Sequence, residues 1–230
     1  MLAACKPKRC RVYLPLAATA VLFVAAGNAA AQENPQQVRT LIKAYIERHN
    51  SHDLAGVMDL YAENAVFYLS MGRPPVSGRE AITDLERFDV AAQSTIYPQG
   101  ITAQRDGEVW RVHIDGAIEH SEIFEAAGAA IVRAQGIQNA FVLRDGKIIE
   151  IHQPDLVPAC SGIVLEAFRG LVSWLAETGD PRQDRLVANG FINLTPETIP
   201  DIVIALREWR ERTSSNPDPA TVSACAAFDP

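Results

Sequence analysis

The chain has 230 residues, with 21 Lys plus Arg, 28 Asp plus Glu and a formal net charge of −7. Beyond residue 31 it contains no cluster of Lys and Arg, so it lacks the electrostatic footprint of a nucleic-acid binder, and nucleic acid is not expected as a partner. The length fits one domain with an elaboration and allows a sizeable buried core.

The first 31 residues have the features of a secretory signal peptide. A basic stretch (KPKRCR) precedes an apolar stretch (VYLPLAATAVLFVAAG) and a small-residue cleavage site, NAAAQ, with cleavage expected after Ala31. We therefore expect a secreted or periplasmic protein, with an uncleaved anchor as the alternative. Cleavage removes four basic residues and no acid, which leaves 17 Lys plus Arg against 28 acids and a formal charge of −11. No later stretch is apolar for long enough to predict a membrane span after signal cleavage.

Three helices and then several strands are predicted in chain order. Apolar residues at helical spacing indicate a first helix over residues 36–50. Asp53 is a good N-cap for a second helix that continues to Tyr61, and we prefer that role to a catalytic one. A third helix follows the turn that contains Gly78. From residue 94 to residue 152 the apolar period changes to two, which is typical of strands, and RDGK at residues 144–147 predicts a hairpin turn.

The pattern becomes helical again after Pro158. We expect a signal peptide over residues 1–31, an α+β domain over residues 32–158, a helical extension over residues 159–213 and a polar tail over residues 214–230. Within the extension, a short helix is expected around the sequence DRLVANGF, and Thr195 is expected to cap the last helix. Asn193 matches a glycosylation sequon, although the same residues are an ordinary helix start.

Two cysteines, Cys160 and Cys225, remain after signal cleavage. An even number of cysteines in an oxidising compartment predicts a disulfide that ties the tail to the end of the main domain, with a pair of buried thiols as the alternative. Neither cysteine has a metal-ligand partner nearby in sequence, so we expect no metal there. The chain also lacks a glycine-rich phosphate loop, a G-x-S-x-G sequence and an H-E-x-x-H helix, so no cofactor is expected. His49, His52 and Asp53 are close in sequence but span a predicted helix end where their side chains diverge, so no metal site is expected there either.

Three stretches together resemble the SnoaL-like and nuclear transport factor 2-like superfamily, to which ketosteroid isomerase belongs. They are YIERHNSHDLAGVMDLYAENAVF, the turn with Gly78 followed by REAI, and FVLRDGKIIEI. The resemblance covers roughly residues 36–155. It implies a cone-shaped, curved antiparallel sheet packed against the N-terminal helices, a cystatin-like α+β barrel with an apolar pocket, to which the C-terminal helical extension is added.

The ketosteroid isomerase branch combines a carboxylate base with two hydrogen-bond donors. The resemblance places the donors at Tyr45 and Asn139, and it places the base at Leu69. Because leucine cannot move a proton, and because losing a general base removes about 10²- to 10⁴-fold of rate, the isomerase reaction itself is not expected. His49, one helical turn beyond Tyr45, and Glu119, near the end of a strand, are the candidates to replace the base. The alternatives are a core histidine and a solvated rim that also includes His120 and Glu122.

Apolar and polar side chains on two strands are expected to line the pocket. Phe67, Leu69 and Met71 alternate onto one face of their strand. Arg133 and Gln135 share a face of the penultimate strand with Asn139 and Phe141, and an Arg with two amides among apolar residues suggests orientation of a polar ligand group. The alternative is that this end of the sheet is open to water.

Three hypotheses about function remain. The first is an exported domain that binds a small, largely apolar or carbonyl-bearing molecule in the cone without reacting it. The second is a cyclase, dehydratase or isomerase, in which Tyr45 and Asn139 polarise a carbonyl and His49 or Glu119 moves the proton. The third is a protein-interaction module that forms a homodimer through the sheet.

Overall fold

The structure, a computed structural model, describes residues 34–70 and 72–227. The expected signal peptide and Met71 lie outside these residues. Three N-terminal helices form one layer: α1 (Pro35–Asn50), α2 (Leu54–Met58) and α3 (Arg79–Ala91). Asn34 caps α1, and the Asp53 side chain accepts a hydrogen bond from the Gly56 amide at 3.0 Å. The predicted N-cap role of Asp53 is therefore confirmed.

One curved, unclosed sheet contains seven strands: β1 (Tyr61–Tyr68), β2 (Val76–Ser77), β3 (Thr95–Gln99), β4 (Thr102–Asp106), β5 (Val109–His120), β6 (Val132–Arg144) and β7 (Lys147–His152). The strand order is β2-β1-β7-β6-β5-β3, and β4 also pairs with β5. The α+β class is confirmed. The sheet differs from the expectation in one respect, because β1 and β7 pair in parallel whereas the other pairs are antiparallel. Two strands that lie far apart in sequence meet here, and their directions are not set by a hairpin.

A bulge on β6 interrupts the long β5–β6 pair. The register shifts between Val112 and Ile114 on β5, opposite the β6 residues between Ile137 and Phe141. Asn139 lies in this interval with a φ of 60°, a left-handed conformation that asparagine tolerates better than most residues. Such a bulge bends and twists the strand that carries it, which fits the curvature of the sheet.

The helices close the concave side of the sheet. Val38, Ile42 and Tyr45 on α1 pack with residues of β5, β6 and β7, and the buried core includes Tyr61, Val112, Phe141 and Ile148. The turn between β6 and β7 has positive φ at Asp145 and Gly146, as the RDGK sequence predicts.

A second group of elements follows the sheet and includes a short helix inserted between β5 and β6. Its members are α4 (Glu122–Ala127), α5 (Pro158–Thr178), α6 (Gln183–Leu186), β8 (Val187–Ala188), β9 (Phe191–Ile192), α7 (Ile199–Thr213) and α8 (Pro219–Ala226). The expected short helix around residues 184–191 is mostly a two-stranded hairpin, turned by Asn189 and Gly190 with positive φ. The expected helix start at Thr195 is also displaced, because the Thr198 hydroxyl donates to the Asn193 and Thr195 carbonyls and α7 begins only at Ile199.

The predicted polar tail contains a helix and a disulfide. Cys225 lies in α8 and is bonded to Cys160 in the first turn of α5, with the Cα atoms 4.8 Å apart. Both cysteines are buried beside Val132 and Ile163. The tail is therefore attached to the helical extension by a covalent bond as well as by packing.

Among the described helices, α5 is long and apolar enough to cross a membrane by length and composition alone. This differs from the expectation that no such stretch follows the signal. In the structure α5 contributes Ala167, Leu171 and Leu175 to a core shared with α7 and α4, and Cys160 and Ile163 to a second core. The apolar composition of α5 therefore has a structural explanation in these buried contacts.

Candidate functional site

Two tyrosine hydroxyls meet one buried carboxylate inside the cone. Tyr45 on α1 donates to Glu86 Oε1 at 3.2 Å, and Tyr61 at the start of β1 donates to the same oxygen at 2.6 Å. Glu86 lies on the buried face of α3, one turn beyond Ile82. Three elements that are distant in sequence therefore bring three polar groups together at one point.

His49 and Asp89 complete this group. The His49 ring stacks near Tyr45, with centroids 5.9 Å apart, and its Nδ1 lies 3.5 Å from Glu86 Oε2. Asp89 follows Glu86 by three residues on α3, so that both carboxylates project from one side of the helix. We call Tyr45, Tyr61, His49, Glu86 and Asp89 the polar cluster. Glu119 on β5 is near enough for its charge to act on His49, and it accepts a hydrogen bond from Ser94 at 2.8 Å.

Burial and mutual charge shift the pKa values of these groups. Burial raises the pKa of Tyr45 well above its ordinary value, and the charge of Glu86 adds to the effect. Burial, with Tyr45 and Glu86, does the same to the pKa of Tyr61. Both phenols are therefore neutral at ordinary pH and act as hydrogen-bond donors.

The acids and the histidine are shifted as well. Burial raises the pKa of Asp89, and the charge of Glu86 adds to the shift. Burial also raises the pKa of Glu119, against the effect of the Ser94 hydrogen bond. Burial lowers the pKa of His49, but its contact with Glu86 and the surrounding carboxylates outweigh burial and raise the pKa overall. Strongly perturbed groups gathered at one place are typical of functional sites.

Side chains occupy the space around the cluster. Phe141 packs edge-on against Tyr45, with ring centroids 5.3 Å apart. The small void that His49, Glu86 and Asp89 line between the helices has no room for a water molecule. The described residues thus form a filled cone at the tyrosines, without the open apolar pocket that the sequence predicts. A surface groove lined by Leu165, Trp209 and their neighbours lies elsewhere, on the helical extension.

Among the predicted catalytic residues, Tyr45 and His49 lie together in the polar cluster, and Glu119 lies near His49. Asn139 is half-buried in the bulge of β6, two residues before Phe141. The Tyr45 hydroxyl donates its hydrogen bond to Glu86 and not to Asn139. The second donor beside Tyr45 is therefore Tyr61.

The predicted pocket residues are spread over separate places. Phe67 is half-buried and packs on the core of the cone, whereas Leu69 follows the end of β1 at Tyr68. Met71 lies outside the described residues. Arg133 and Gln135 lie near the start of β6. The backbone N–H of Arg133 donates to Cys160 Sγ, and the backbone N–H of Gln135 donates to the Asp155 carbonyl. Phe141, eight residues beyond Arg133 on the same strand, packs against Tyr45.

Sequence reasoning missed Glu86, Asp89 and Tyr61. A usable signal was present in α3, because Glu86 is four residues from the buried Ile82 and so occupies the apolar face of the helix. An acid on that face needs a partner in the core. Tyr61 had been expected to continue the second helix, but that helix ends at Met58 and Tyr61 begins a strand.

Comparison with known proteins identifies the class of this fold. Residues 42–151 match the SnoaL-like domain family. These residues include the second half of α1, the sheet as far as Ile151 in β7 and every member of the polar cluster. This part of the chain is a SnoaL-like domain and belongs to the nuclear transport factor 2-like superfamily. No curated protein matches the chain.

Several solved structures are similar. A candidate dehydratase of the NTF2-like family from Streptomyces avermitilis is 18% identical, with 53% of this chain and 96% of that chain covered and a TM-score of 0.43. A candidate polyketide cyclase from Xanthomonas campestris is 18% identical, with 53% and 93% covered and a TM-score of 0.40. A candidate ketosteroid isomerase from Kribbella flavida is 17% identical, with 51% and 76% covered and a TM-score of 0.33. At such identity the likeness does not extend to activity.

Proposed function

We propose that this protein is an enzyme that performs acid–base chemistry, of the dehydratase, cyclase or isomerase type, on a small and largely apolar molecule that bears a carbonyl or hydroxyl group. One observation carries the proposal: two neutral phenols converge on a single buried carboxylate inside an apolar cone. Donors that converge in a water-poor site are suited to bind a substrate oxygen as negative charge develops on it.

Tyr45 and Tyr61 are the proposed donors, and Glu86 is the residue that positions them. Because both hydroxyls share Glu86 Oε1, they are held on the same side of that carboxylate. A substrate oxygen that replaces Glu86 as the acceptor of one hydroxyl would gain a pre-oriented hydrogen bond. Asn139 lies in the bulge of β6, two residues before Phe141, and is a weaker candidate for a hydrogen-bond donor to the substrate.

Glu119 is the proposed proton carrier. Burial raises the pKa of Glu119 above its ordinary value, and a raised pKa favours a carboxyl group that both accepts a proton and returns it. The Ser94 hydroxyl orients the carboxylate at 2.8 Å. Glu119 would thus supply the carboxylate that is missing at Leu69.

Substrate entry requires the cone to open. Partly buried side chains, among them Phe67, Ile96 and Ile137, pack on the core and are the groups that a ligand would displace. We infer that a ligand of this site is mainly apolar, because it has to replace apolar contacts as it enters.

Proton exchange next to a carbonyl tests the proposal without knowledge of the product. The protein would be incubated in D2O with a panel of hydrophobic ketones and β-hydroxy ketones, and deuterium uptake at the carbon next to the carbonyl would be followed by NMR. We expect accelerated exchange for at least one compound. Tyr45→Phe and Glu119→Gln should lower that rate by about 10²- to 10⁴-fold.

Glu63→Gln is the matched control, because Glu63 is an exposed acid on β1. It should exchange at the rate of the unmodified protein. Exchange no faster than in buffer for the whole panel would count against the proposal, as would equal rates in all four proteins. Mass spectrometry of small molecules that co-purify with the chain would extend the panel.

A homodimerising interaction module is the second candidate, and the filled cone favours it. Tyr68 on β1 and Tyr97 on β3 are 37% and 50% exposed on the sheet. Each is close to a histidine ring, Tyr68 to His152 and Tyr97 to His120. Light scattering coupled to gel filtration checks this candidate: a monomeric mass at roughly 100 µM excludes a dimer of useful affinity.

Export and the division of the chain into segments are proposed on sequence grounds. The Cys160–Cys225 disulfide is in keeping with an oxidising compartment. Cell fractionation and the N-terminal sequence of the mature protein test both points together. A mature chain that begins at Gln32 is the expected result.

A further inference from the structure

We propose that His49, Glu86 and Asp89 form a binding site for a divalent transition-metal ion, with Zn²⁺ as the first candidate. One ligand atom of each residue can be chosen so that all three atoms lie within 4.8 Å of one another. His49 and Glu86 are buried and Asp89 is half-buried. The inference rests on the geometry and charge of these residues and not on the acid–base function proposed above.

The distances are close to those of a metal site. Zinc binds imidazole nitrogen and carboxylate oxygen at about 2.0 to 2.2 Å, so two ligand atoms on a tetrahedral ion are roughly 3.3 to 3.6 Å apart. His49 Nδ1 and Glu86 Oε2 are 3.5 Å apart. The two ligand atoms that lie farthest apart have to approach each other by about 1 Å. A rotation of the half-buried Asp89 side chain can supply that movement.

The His49 ring gives an independent indication of a missing partner. Only 6% of the residue is exposed, yet Nε2 has no hydrogen-bond partner among the described residues. A histidine that serves only to pack the core has its ring nitrogens satisfied in most proteins. His49 and the two acids line the same small void. Because Nδ1 already faces Glu86, a ring rotation that brings Nε2 onto an ion would use the nitrogen that is otherwise left without a partner.

The charge of the surroundings favours a cation. Glu86, Asp89 and Glu119 all act on His49. Within residues 34–70 and 72–227, these acids form one ion pair, that between Glu86 and His49. Arg48 lines the same void, but its Nη1 donates to the Gly56 carbonyl at 2.6 Å. Buried carboxylates without cationic partners are costly. A divalent ion would offset the excess negative charge at its source.

The donor set indicates which kind of ion would bind. One imidazole and two carboxylates suit zinc or a similar transition metal, whereas Mg²⁺ and Ca²⁺ prefer oxygen ligands alone. Glu86 can serve the ion and the tyrosines together, because Oε1 accepts from Tyr45 and Tyr61 while Oε2 faces His49. Three protein ligands leave one position of a tetrahedral ion to be filled, and the closed void would have to widen to admit a water or substrate atom there.

Metal binding by the full chain tests the inference. The protein would be produced without a polyhistidine tag and with its disulfide intact, stripped with EDTA, and titrated with ZnCl2 against a chromophoric chelator. We expect one Zn²⁺ per chain. Asp89→Asn and His49→Gln should each weaken the affinity at least about tenfold, because each removes one ligand. Co²⁺ in place of Zn²⁺ should give the visible absorption of a four-coordinate site with nitrogen and oxygen ligands.

Asp84→Asn is the matched control, since Asp84 is an exposed acid on the same helix and pairs with Arg87. It should bind Zn²⁺ as the unmodified chain does. Failure of the unmodified chain to bind stoichiometric Zn²⁺ overturns the inference, and so does equal affinity in the control and in Asp89→Asn. If His49→Gln does not fold, as judged by circular dichroism, the milder Asp89→Asn decides the matter.

Discussion

Tyr61 donates a hydrogen bond to Glu86 across 2.6 Å, and so joins the first residue of β1 to the buried face of α3. Tyr45 reaches the same oxygen from α1 at 3.2 Å. The helices and the sheet of the cone therefore share one polar contact at the centre of an apolar core. The geometry of this contact has consequences for stability as well as for chemistry.

We expect Tyr61→Phe to destabilise the protein more than Tyr45→Phe does. Both bonds go to the same carboxylate, for which a bond is worth about 1.5 to 3 kcal/mol, and we expect the shorter bond at the upper end of that range and the longer bond at or below its lower end. Urea unfolding followed by tryptophan fluorescence measures both. Tyr97→Phe is the control, because Tyr97 is half exposed and should change the free energy of unfolding very little. A Tyr61→Phe variant as stable as the control would contradict a role for this bond in the fold.

Two glycines on α5 provide a matched pair for the packing of the helical extension. A Cβ added at Gly170 would lie 2.2 Å from Trp209 on α7, whereas a Cβ at Gly162 would meet nothing within 4 Å. Gly170→Ala should therefore cost about 1 to 3 kcal/mol through overpacking. Gly162→Ala should instead stabilise the helix by roughly 0.5 to 1 kcal/mol.

Thermal unfolding of the two variants beside the unmodified chain measures both effects. The sign of each shift in melting temperature decides the result, because both variants carry the same substitution in the same helix. A stabilising shift for Gly170→Ala would show that α5 and α7 do not pack as closely as the Gly170–Trp209 contact requires, and a destabilising shift for Gly162→Ala would show that Gly162 has less free space than the structure gives it.

Local patterns explain which parts of the fold can be predicted from the sequence. The period of 3.6 in α1 and the period of 2 in the first half of β5 reflect one buried face each, and the RDGK turn needs positive φ at two residues that tolerate it. By contrast, the parallel pairing of β1 with β7 joins residues that are far apart in the sequence, such as Tyr61 and Ile148. No local pattern encodes such a contact.

The candidate site can be predicted from the sequence only in part, for the same reason. Tyr45 and His49 lie one turn apart on α1, so helical periodicity places them together. Glu86 is 41 residues from Tyr45 in sequence, and its position depends on how α3 packs across the cone. A charged residue within a helix is usually assigned to the solvated face, and Glu86 occupies the buried face because two tyrosines and a histidine surround its carboxylate.

The Cys160–Cys225 disulfide closes a loop of 65 residues between α5 and α8. Closing a loop of this length restricts the unfolded chain and should stabilise the protein by roughly 2 to 5 kcal/mol. Reduction with a phosphine should therefore lower the melting temperature, as should the double replacement of Cys160 and Cys225 by Ala. The double variant is its own control, since reductant should no longer change its melting temperature. An unmodified chain whose melting temperature is the same with and without reductant would exclude a stabilising bridge.

Asp180 links the end of α5 to α7 through Arg182, which also pairs with Glu208 at 2.6 Å. Hydrogen bonds from Arg182 lower the pKa of Asp180 to about 2. Because the pKa in the folded state lies below that of the unfolded chain, the pair contributes its full stability above about pH 4 and loses it as the pH falls towards 2. For a partly exposed pair we expect a contribution of about 1 to 2 kcal/mol.

Unfolding free energies of the unmodified chain and Asp180→Asn, measured between pH 2 and pH 6 at fixed ionic strength, test this contribution. The difference between the two proteins should be largest at pH 6 and should shrink as the pH approaches 2, because protonation removes in the unmodified chain the same charge that the substitution removes. Asp84→Asn, in an exposed pair with Arg87, should differ little from the unmodified chain at any of these pH values. A difference for Asp180→Asn that stays constant across the range would mean that the amide disturbs packing between α5 and α7, and that the charge of Asp180 adds nothing to stability.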